Sequence, residues 1–207
     1  MGVLSAVSKV YTVYMRDGQT AKKIATAARS ILDQHGYQAV TLRRVAVAVG
    51  ITPMAVYRHY PDHEGLLNVL ADSGFAELAG RLTGLPLSGD IEERLSQILD
   101  ANLNFAFENP RLFELMFLQR REGARLFPKD FKARKSPTAN VMADVLRRGM
   151  EAGYLREDDP WEITFEMGAL LQGLMMLFLG GRVGLSQSRF RSYCHRSFRR
   201  YLNGIRK

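Results

Sequence analysis

Cysteine is almost absent from this sequence of 207 residues, since Cys194 is the only one. A single thiol forms no disulfide within the chain and supplies too few ligands for an all-cysteine metal site. The four histidines, His35, His59, His63 and His195, show no metal-ligand spacing. We therefore predict no disulfide framework, no metal and no cofactor, and one cysteine fits a reducing compartment.

Long apolar runs and the features of a signal peptide are also missing. The longest apolar run, residues 167–181, has fifteen residues and is interrupted by Gln172, whereas a helix needs about 20 residues to cross a bilayer. The early positive charge, Lys9, falls inside the first apolar stretch, and no small-residue cleavage site follows it. We predict a cytoplasmic protein without membrane contact, in which residues 1–18 are a leader or an extension upstream of a start at Met15.

Motifs for catalysis are lacking as well. The sequence has neither a glycine-rich phosphate loop nor a nucleophile elbow. Cys194 lies on an apolar stripe, where an inert, packed thiol is expected. We predict that the protein is not an enzyme, and we assign no catalytic residue.

Charge is present but unevenly distributed. The formal net charge is +8, of which residues 1–64 carry +4, residues 65–181 carry −4 and residues 182–207 carry +8 with no acidic residue. A basic start beside an acidic middle indicates a polyanion-binding end and a separate module. The basic tail has three open interpretations: a solvated rim partnered by acidic residues of the middle, contact with an acidic ligand or protein, and binding to a membrane surface.

Helical periodicity dominates the chain, and the alternation typical of strands is not found. Glycine and proline divide the sequence into about nine predicted helices, at 20–35, 42–49, 53–60, 63–82, 91–108, 111–122, 138–151, 160–181 and 187–203. The sequence predicts an all-α fold. An N-terminal three-helix domain would span residues 19–64, and a larger helical domain residues 65–207.

Two short helices with a glycine between them stand out in the N-terminal domain. Thr41 and Thr52 are predicted N-caps, Pro53 takes the favoured first helical position, and Gly50 suits the turn. Ala46 leaves room for the helices to cross. This arrangement is typical of a helix-turn-helix.

A helical wheel sorts the second of these short helices into two faces. Val56 and Tyr60 point toward the core. Met54, Ala55 and Arg58 point away, and such a face is small enough for a DNA major groove and carries one forked donor. Its flanks hold Tyr57 and His59, where the phosphates of the groove walls would lie.

The wider pattern resembles a known family. The pattern Thr41…Ala46…Gly50-Ile51…Tyr57-x-His59-Tyr60…Glu64-x-Leu66-Leu67 is similar to the N-terminal signature of TetR-family regulators, over about residues 19–70. The resemblance implies that Thr41, Tyr57 and His59 donate to phosphates. The family commonly has Lys at position 63, and His63 of this chain departs from that pattern, which puts a charged contact at this position in doubt.

The resemblance also implies which side chains reach base edges or nearby phosphates, namely Arg43, Arg44, Thr52, Met54 and Arg58. Arg58 is the first choice for guanine, because a guanidinium can bind O6 and N7 together. Pro53 and Ala55 complete the predicted DNA-contacting set.

The larger domain resembles the family's ligand-binding and dimerisation domain in plan only. We predict an apolar pocket between its helices, in which Gln172 is a polar anchor. The alternative is that the same side chains merely pack a core. The predicted lining residues are Asn102, Phe105, Phe113, Met116, Phe117, Met142, Gln172 and Met176.

The last two helices are predicted to form a four-helix interface with a second copy of the chain, because the eighth is apolar nearly all round. Such a homodimer would pair two recognition helices on a pseudo-palindromic site. The predicted interface residues are Leu170, Leu174, Leu177, Phe190, Tyr193, Cys194, Ser197, Phe198 and Tyr201.

The sequence therefore predicts a transcriptional regulator that binds double-stranded DNA as a homodimer. In the first hypothesis it is a repressor that a small, largely apolar effector releases from its operator. In the second, the protein acts through a protein partner and has no small-molecule inducer.

Overall fold

A computed structural model of the chain describes residues 18–121 and 123–207. The predicted all-α fold is confirmed, and most of the predicted leader lies outside the described residues. Within them, the one β feature is an isolated antiparallel bridge between Leu155 and Arg206. The helices are α1 (Gly18–His35), α2 (Leu42–Val49), α3 (Pro53–His59), α4 (His63–Thr83), α5 (Ile91–Glu108), α6 (Pro110–Leu118), α7 (Lys129–Lys132), α8 (Pro137–Glu151), α9 (Pro160–Leu179) and α10 (Gln187–Ile205).

The chain divides into two compact units, one ending at Gly74 and the other spanning residues 75–207. The division falls within α4, later than the boundary that we predict after residue 64. Helix α4 is continuous across it, from His63 to Thr83.

The first unit is built on α1, whose apolar face contacts α2, which in turn contacts α3. Ile24 and Leu32 of α1, Val45 of α2 and Val56 of α3 are completely buried. Tyr60, just after α3, is also buried, and its hydroxyl donates to the Ala21 carbonyl oxygen at 3.2 Å. These contacts hold the two short helices in one orientation on α1.

The turn between α2 and α3 forms as the residue types predict. Thr41 Oγ1 accepts from the Arg44 N–H at 3.2 Å, and Thr52 Oγ1 accepts from the Ala55 N–H at 3.3 Å. Gly50 has φ +74° and ψ +34°, the left-handed conformation that costs a glycine nothing. The start of α4 is capped by Asp62, whose Oδ1 accepts from the Gly65 N–H at 2.6 Å.

In the second unit, α5 contacts α6, α8 and α10, while α9 contacts α6, α8 and α10. Helix α5 begins with a reciprocal capping box between Asp90 and Glu93. The fully buried side chains of α5, such as Leu99 and Leu103, lie at the centre of this unit.

The end of α6 and the segment after it differ most from our predictions. Helix α6 ends at Leu118 and not near residue 122, because no apolar residue that could anchor another turn follows until Ala124. The segment between our predicted helices 111–122 and 138–151, in which we predict no helix, contains the short helix α7. Phe127 and Phe131 in this segment pack against the buried Trp161 cluster.

Helix α9 is longer than the apolar run on which our membrane argument rests. It has twenty residues and, by length and composition alone, could cross a bilayer. The argument from length applies to the fifteen-residue apolar run and does not extend to the whole helix, which starts at Pro160. Trp161, Met167 and Met175 of α9 are nevertheless buried among other helices of the second unit.

Candidate nucleic-acid interface and an apolar cavity

Helix α3 presents the two faces that the helical wheel predicts. Val56 is completely buried, whereas Met54 is 66% and Tyr57 48% exposed. Arg58 is exposed and Ala55 is half-buried. We call Met54, Ala55, Tyr57 and Arg58 the outward face of α3.

The other side chains predicted to contact DNA border this face in sequence and are accessible too. Thr41, Arg43 and Arg44 are exposed at the start of α2, and His63 is exposed at the start of α4. The remaining predicted residues are Thr52 and Pro53, which are exposed, and His59, which is half-buried. No predicted DNA-contacting side chain is buried.

Sequence reasoning missed Val47, which is 77% exposed on α2. It follows Arg43 and Arg44 by about one turn and therefore lies on the same outward side of α2. The signal was available, since Val47 falls outside the apolar face formed by Leu42, Val45 and Ala46. An apolar side chain beside arginines is suited to a thymine methyl group or a sugar.

The second unit contains a partly open, largely apolar cavity of about 300 Å³, at the lower end of the range for small-molecule sites. Helices α4, α5, α6, α8 and α9 and the segment between α6 and α8 supply its walls. The predicted lining residues that do reach it are Asn102, Phe113, Met116, Phe117, Met142 and Gln172.

Two predicted lining residues lie elsewhere. Phe105 is completely buried away from the cavity, and the guanidinium of Arg81 lies 5.3 Å from its ring centroid. Met176 is 48% exposed on the surface of α9. Both predictions are wrong, because residue type alone does not reveal on which side of its helix a side chain lies.

The cavity contains two arginines that sequence reasoning did not select, Arg121 and Arg125. Their guanidinium carbons lie 5.3 and 5.6 Å from the ring centroid of Phe75, another lining residue. The Nε of Arg125 also donates to the Lys135 carbonyl oxygen at 2.7 Å. Both arginines follow α6 in irregular chain; Arg121 falls inside the helix that we predict to residue 122, and Arg125 lies beyond it.

Three predicted interface residues of α10 point into their own protomer. Phe190, Cys194 and Phe198 are buried, and Phe190 stacks on Phe178 with ring centroids 4.2 Å apart. They form the face of α10 that packs on α5 and α9, so they offer no surface to a second copy, and the prediction is wrong for them. Burial raises the pKa of the Cys194 thiol to about 11.

The other predicted interface residues keep some accessibility. Leu177 of α9 and Tyr193 of α10 are exposed, and the half-buried ones are Leu170, Leu174, Ser197 and Tyr201. Phe165, Met176 and Leu179 add further exposed apolar area to α9. We call Phe165, Met176, Leu177 and Leu179 the apolar surface of α9.

Part of the basic tail is paired with acidic residues of the middle region. Arg191 Nη1 lies 2.5 Å from Asp100 Oδ1, and Arg199 Nε lies 3.0 Å from Glu92 Oε1. For these two arginines the structure shows the acidic pairing that belongs to the first of our three interpretations of the tail.

The same region aligns Ser96, His195 and Asp100. Ser96 Oγ is 3.2 Å from His195 Nδ1, and His195 Nε2 is 2.9 Å from Asp100 Oδ1. The cavity beside them is small, about 30 Å³. The cluster joins Ser96 and Asp100 of α5 to His195 of α10 and so helps to hold the two helices together.

Comparison with known proteins agrees with the fold. Over 162 residues the chain is 24% identical to the uncharacterized HTH-type transcriptional regulator YobS of Bacillus subtilis, covering 78% of this chain and 80% of that protein. It is 26% identical over 148 residues to the HTH-type transcriptional repressor AcnR of Corynebacterium glutamicum, covering 69% of this chain and 72% of that protein. A solved structure of a protein of unknown function from Rhodococcus sp. RHA1 superposes with a TM-score of 0.71 at 22% identity, over 90% of this chain and 95% of that one.

Two family models match separate parts of the chain. The model for bacterial regulatory proteins of the tetR family matches residues 24–70, which include α2, α3 and the outward face. The model for the tetracyclin repressor-like C-terminal domain matches residues 95–201, more than half of the chain. Both matches are to models of the same family, and one of them covers more than half of the chain. The chain is therefore a member of the TetR family of bacterial transcriptional regulators.

Proposed function

We propose that the protein is a cytoplasmic, homodimeric repressor that binds a pseudo-palindromic operator and is released from it by a small, largely apolar effector. The observation that carries this proposal is the outward face of α3, which exposes Met54, Tyr57 and Arg58 while Val56 fixes the helix in the core. A rigid scaffold with an exposed short helix is what major-groove recognition requires. The relative AcnR, which carries the name of a repressor, supports the sign of regulation.

In this proposal the contacts divide by chemistry. Arg58 reads a base edge, with Met54 and Ala55 packing against neighbouring bases, while Thr52 and Pro53 approach the backbone at the start of α3. Tyr57, His59, Thr41 and His63 donate to phosphates, and Arg43 and Arg44 add charge. Phosphate contacts set register and affinity, so DNA binding should weaken as salt rises.

A second copy would cover the apolar surface of α9. Several large apolar side chains exposed together on one helix are unusual for a monomer and mark an interaction site. Leu177 and Tyr193, which our sequence analysis assigns to the interface, are both accessible for this role. A two-fold pair would present two copies of α3 to successive turns of DNA.

The effector would bind the cavity in the second unit. Phe75, Leu78 and Leu82 of α4 line that cavity, and the same helix begins at His63, where DNA contact is proposed. The effector would bind more tightly to a state of the dimer in which the spacing of the two recognition helices does not match the operator. It would shift the population toward that state and so lower the affinity for DNA. Typical coupling between two such sites is about 1–3 kcal/mol.

The decisive experiment selects fragments of the host genome bound by the purified full-length protein and measures affinity for the recovered sequence. We expect a two-fold symmetric site and a clear preference over random competitor at moderate salt. Absence of any preferred duplex would contradict the proposal. Adding candidate metabolites to the complex then tests release.

A second candidate is favoured by exposed arginines on α10, among them Arg189, Arg196 and Arg200. These could contact an acidic protein partner, through which the DNA-bound dimer would act without an inducer. Two results together would favour this candidate. No metabolite should change the affinity for the operator, and binding of the protein partner should be lost in Arg196→Ala and Arg200→Ala.

A further inference from the structure

The cavity in the second unit is lined mainly by apolar side chains, and the charged side chains of its described lining are all positive. Most of its lining is aromatic or aliphatic, including Phe75, Phe113, Met142 and Leu171. Its charged lining residues, among those that the structure describes, are Arg121 and Arg125. No aspartate or glutamate is among these lining residues, so the charged groups that the described lining supplies are cationic.

Both guanidinium groups contact the same aromatic ring of the lining, that of Phe75. Each lies within 5.6 Å of the centroid of this ring. The Nε donor of Arg125 is already used by the Lys135 carbonyl, which fixes the direction of its side chain. The remaining guanidinium N–H groups of a side chain oriented in this way are suited to a planar anion, because a guanidinium and a carboxylate match in a two-bond geometry.

The polar side chains of the same lining are largely committed to the protein. Asn102 Nδ2 donates to the Ile98 carbonyl at 2.8 Å, and Thr164 Oγ1 donates to the Pro160 carbonyl at 2.7 Å. Ser136 Oγ lies 3.4 Å from Thr138 Oγ1. Gln172 adds one further amide to the lining. The cavity therefore offers few polar contacts to a polyhydroxylated molecule, while its arginines favour negative charge.

The geometry points to an amphiphilic anion as the ligand: a carboxylate or related anionic group held at Arg121 and Arg125, with a hydrocarbon tail along the walls formed by α5, α6, α8 and α9. This inference rests on the proposed function, since it names the chemical class of the effector. Burial of each additional methylene should tighten binding by about fourfold until the cavity is full. A cavity of about 300 Å³ sets that limit, so affinity should rise with chain length and then level off or fall.

The first test uses the unaltered full-length protein and ligands that differ only in their headgroup. We expect calorimetry to show decanoate or decyl sulfate binding at least tenfold more tightly than decanol, and decylammonium binding least. The two anions distinguish a planar carboxylate from a tetrahedral headgroup. Equal affinity for decanoate and decanol, stronger binding of decylammonium, or binding of none of the four would overturn the inference.

The second test uses variants. In Arg121→Gln and Arg125→Gln the preference for decanoate over decanol should shrink by about tenfold or more, whereas Arg120→Gln, an exposed neighbour outside the cavity, should keep it. Unchanged preference in both cavity variants would contradict the proposed role of these arginines.

DNA binding provides the separate control. Operator fragments that are bound but released only by a neutral or cationic compound would refute the anionic effector and leave the proposed repressor intact. Decanoate that binds while no operator is found would refute the repressor and leave the cavity assignment intact.

Discussion

The hydroxyl of Tyr60 donates to the carbonyl oxygen of Ala21 at 3.2 Å, across 39 positions of sequence. Tyr60 is the first residue after α3 and is only 2% exposed, while Ala21 lies in the first turns of α1. The bond anchors the carboxyl end of the short helix to the longest helix of the first unit. The orientation of Tyr57 and Arg58 therefore depends on a tertiary contact made by their neighbour.

Tyr60→Phe should reduce the free energy of unfolding of the first unit by about 1 kcal/mol, because a buried hydrogen bond is lost while the ring remains. Urea denaturation, monitored by a spectroscopic signal from the first unit, measures this change in the free energy of unfolding. Tyr57→Phe is the matched control, since its hydroxyl belongs to a side chain that is 48% exposed, and its stability should be unchanged. Equal effects of the two substitutions would show that the Tyr60 hydroxyl contributes nothing.

Arg58→Ala should remove about 1–3 kcal/mol of discrimination at one base position in each half-site, because only a base contact specifies sequence. Selection from a randomised operator library measures this loss, as one position of each half-site at which the base preference becomes weaker. Tyr57→Phe should weaken binding to all sequences alike. Arg148→Ala, an exposed change on α8, serves as the control. A library profile unchanged by Arg58→Ala would remove this arginine from base recognition.

Leu177→Glu should convert the dimer to a monomer at micromolar concentration, because it places a charge in the apolar surface of α9 that a second copy would bury. Analytical ultracentrifugation measures the change. Leu126→Glu is the control, since Leu126 is 65% exposed but lies on neither α9 nor α10. A Leu177→Glu protein that sediments as a dimer would place the interface on another surface.

Asp159→Ala should cost about 0.5–2 kcal/mol of stability at pH 7, because Asp159 caps α9 through the Trp161 N–H at 2.8 Å and pairs with Lys132 at 2.7 Å. The hydrogen bond from Lys132 is the main reason that the pKa of Asp159 is lowered in the folded chain. A lowered carboxyl pKa stabilises the fold above the ordinary value of about 4, and this contribution is lost as pH falls through the folded value.

The difference in unfolding free energy between the unaltered protein and Asp159→Ala should therefore be largest near neutral pH and shrink below about pH 4. Urea denaturation at a series of pH values tests this dependence. Glu157→Ala, at an exposed position nearby, is the control. A difference that grows on acidification would refute the assigned role of the carboxylate.

Cys194 should react slowly with a thiol reagent in the folded protein, because burial raises its pKa to about 11 and excludes the reagent. Since Cys194 is the only cysteine, the absorbance change in an Ellman assay reports it alone. Addition of denaturant should restore the full reaction. Rapid labelling of the folded protein at pH 8 would show that α10 detaches readily from α5.

Helix α3 was predictable from sequence because its determinants are local. Thr52 as cap, Pro53 at the first position and Gly50 in the turn each act within a few residues, and the positions of Val56 and Arg58 follow from 100° per residue. A helix this short has a single way to bury one valine against the first unit. Its exposed side is then fixed as well.

The stripe on α10 shows where such reasoning fails. Phe190, Cys194 and Phe198 form a regular apolar face, but periodicity does not tell whether that face meets the same chain or a second copy. In the structure α5 and α9 occupy it. The apolar surface of α9 is left accessible instead, and Met176 belongs to it and not to the cavity.

By itself, the sequence determined the helical class, the capped helix-turn-helix and the outward face of α3, because these depend on interactions between residues close along the chain. Only the tertiary structure decided that Arg121 and Arg125 share the ring of Phe75 inside an apolar cavity, and that Phe105 and Cys194 are core residues. Those relationships join residues far apart in sequence, and their geometry depends on how whole helices pack.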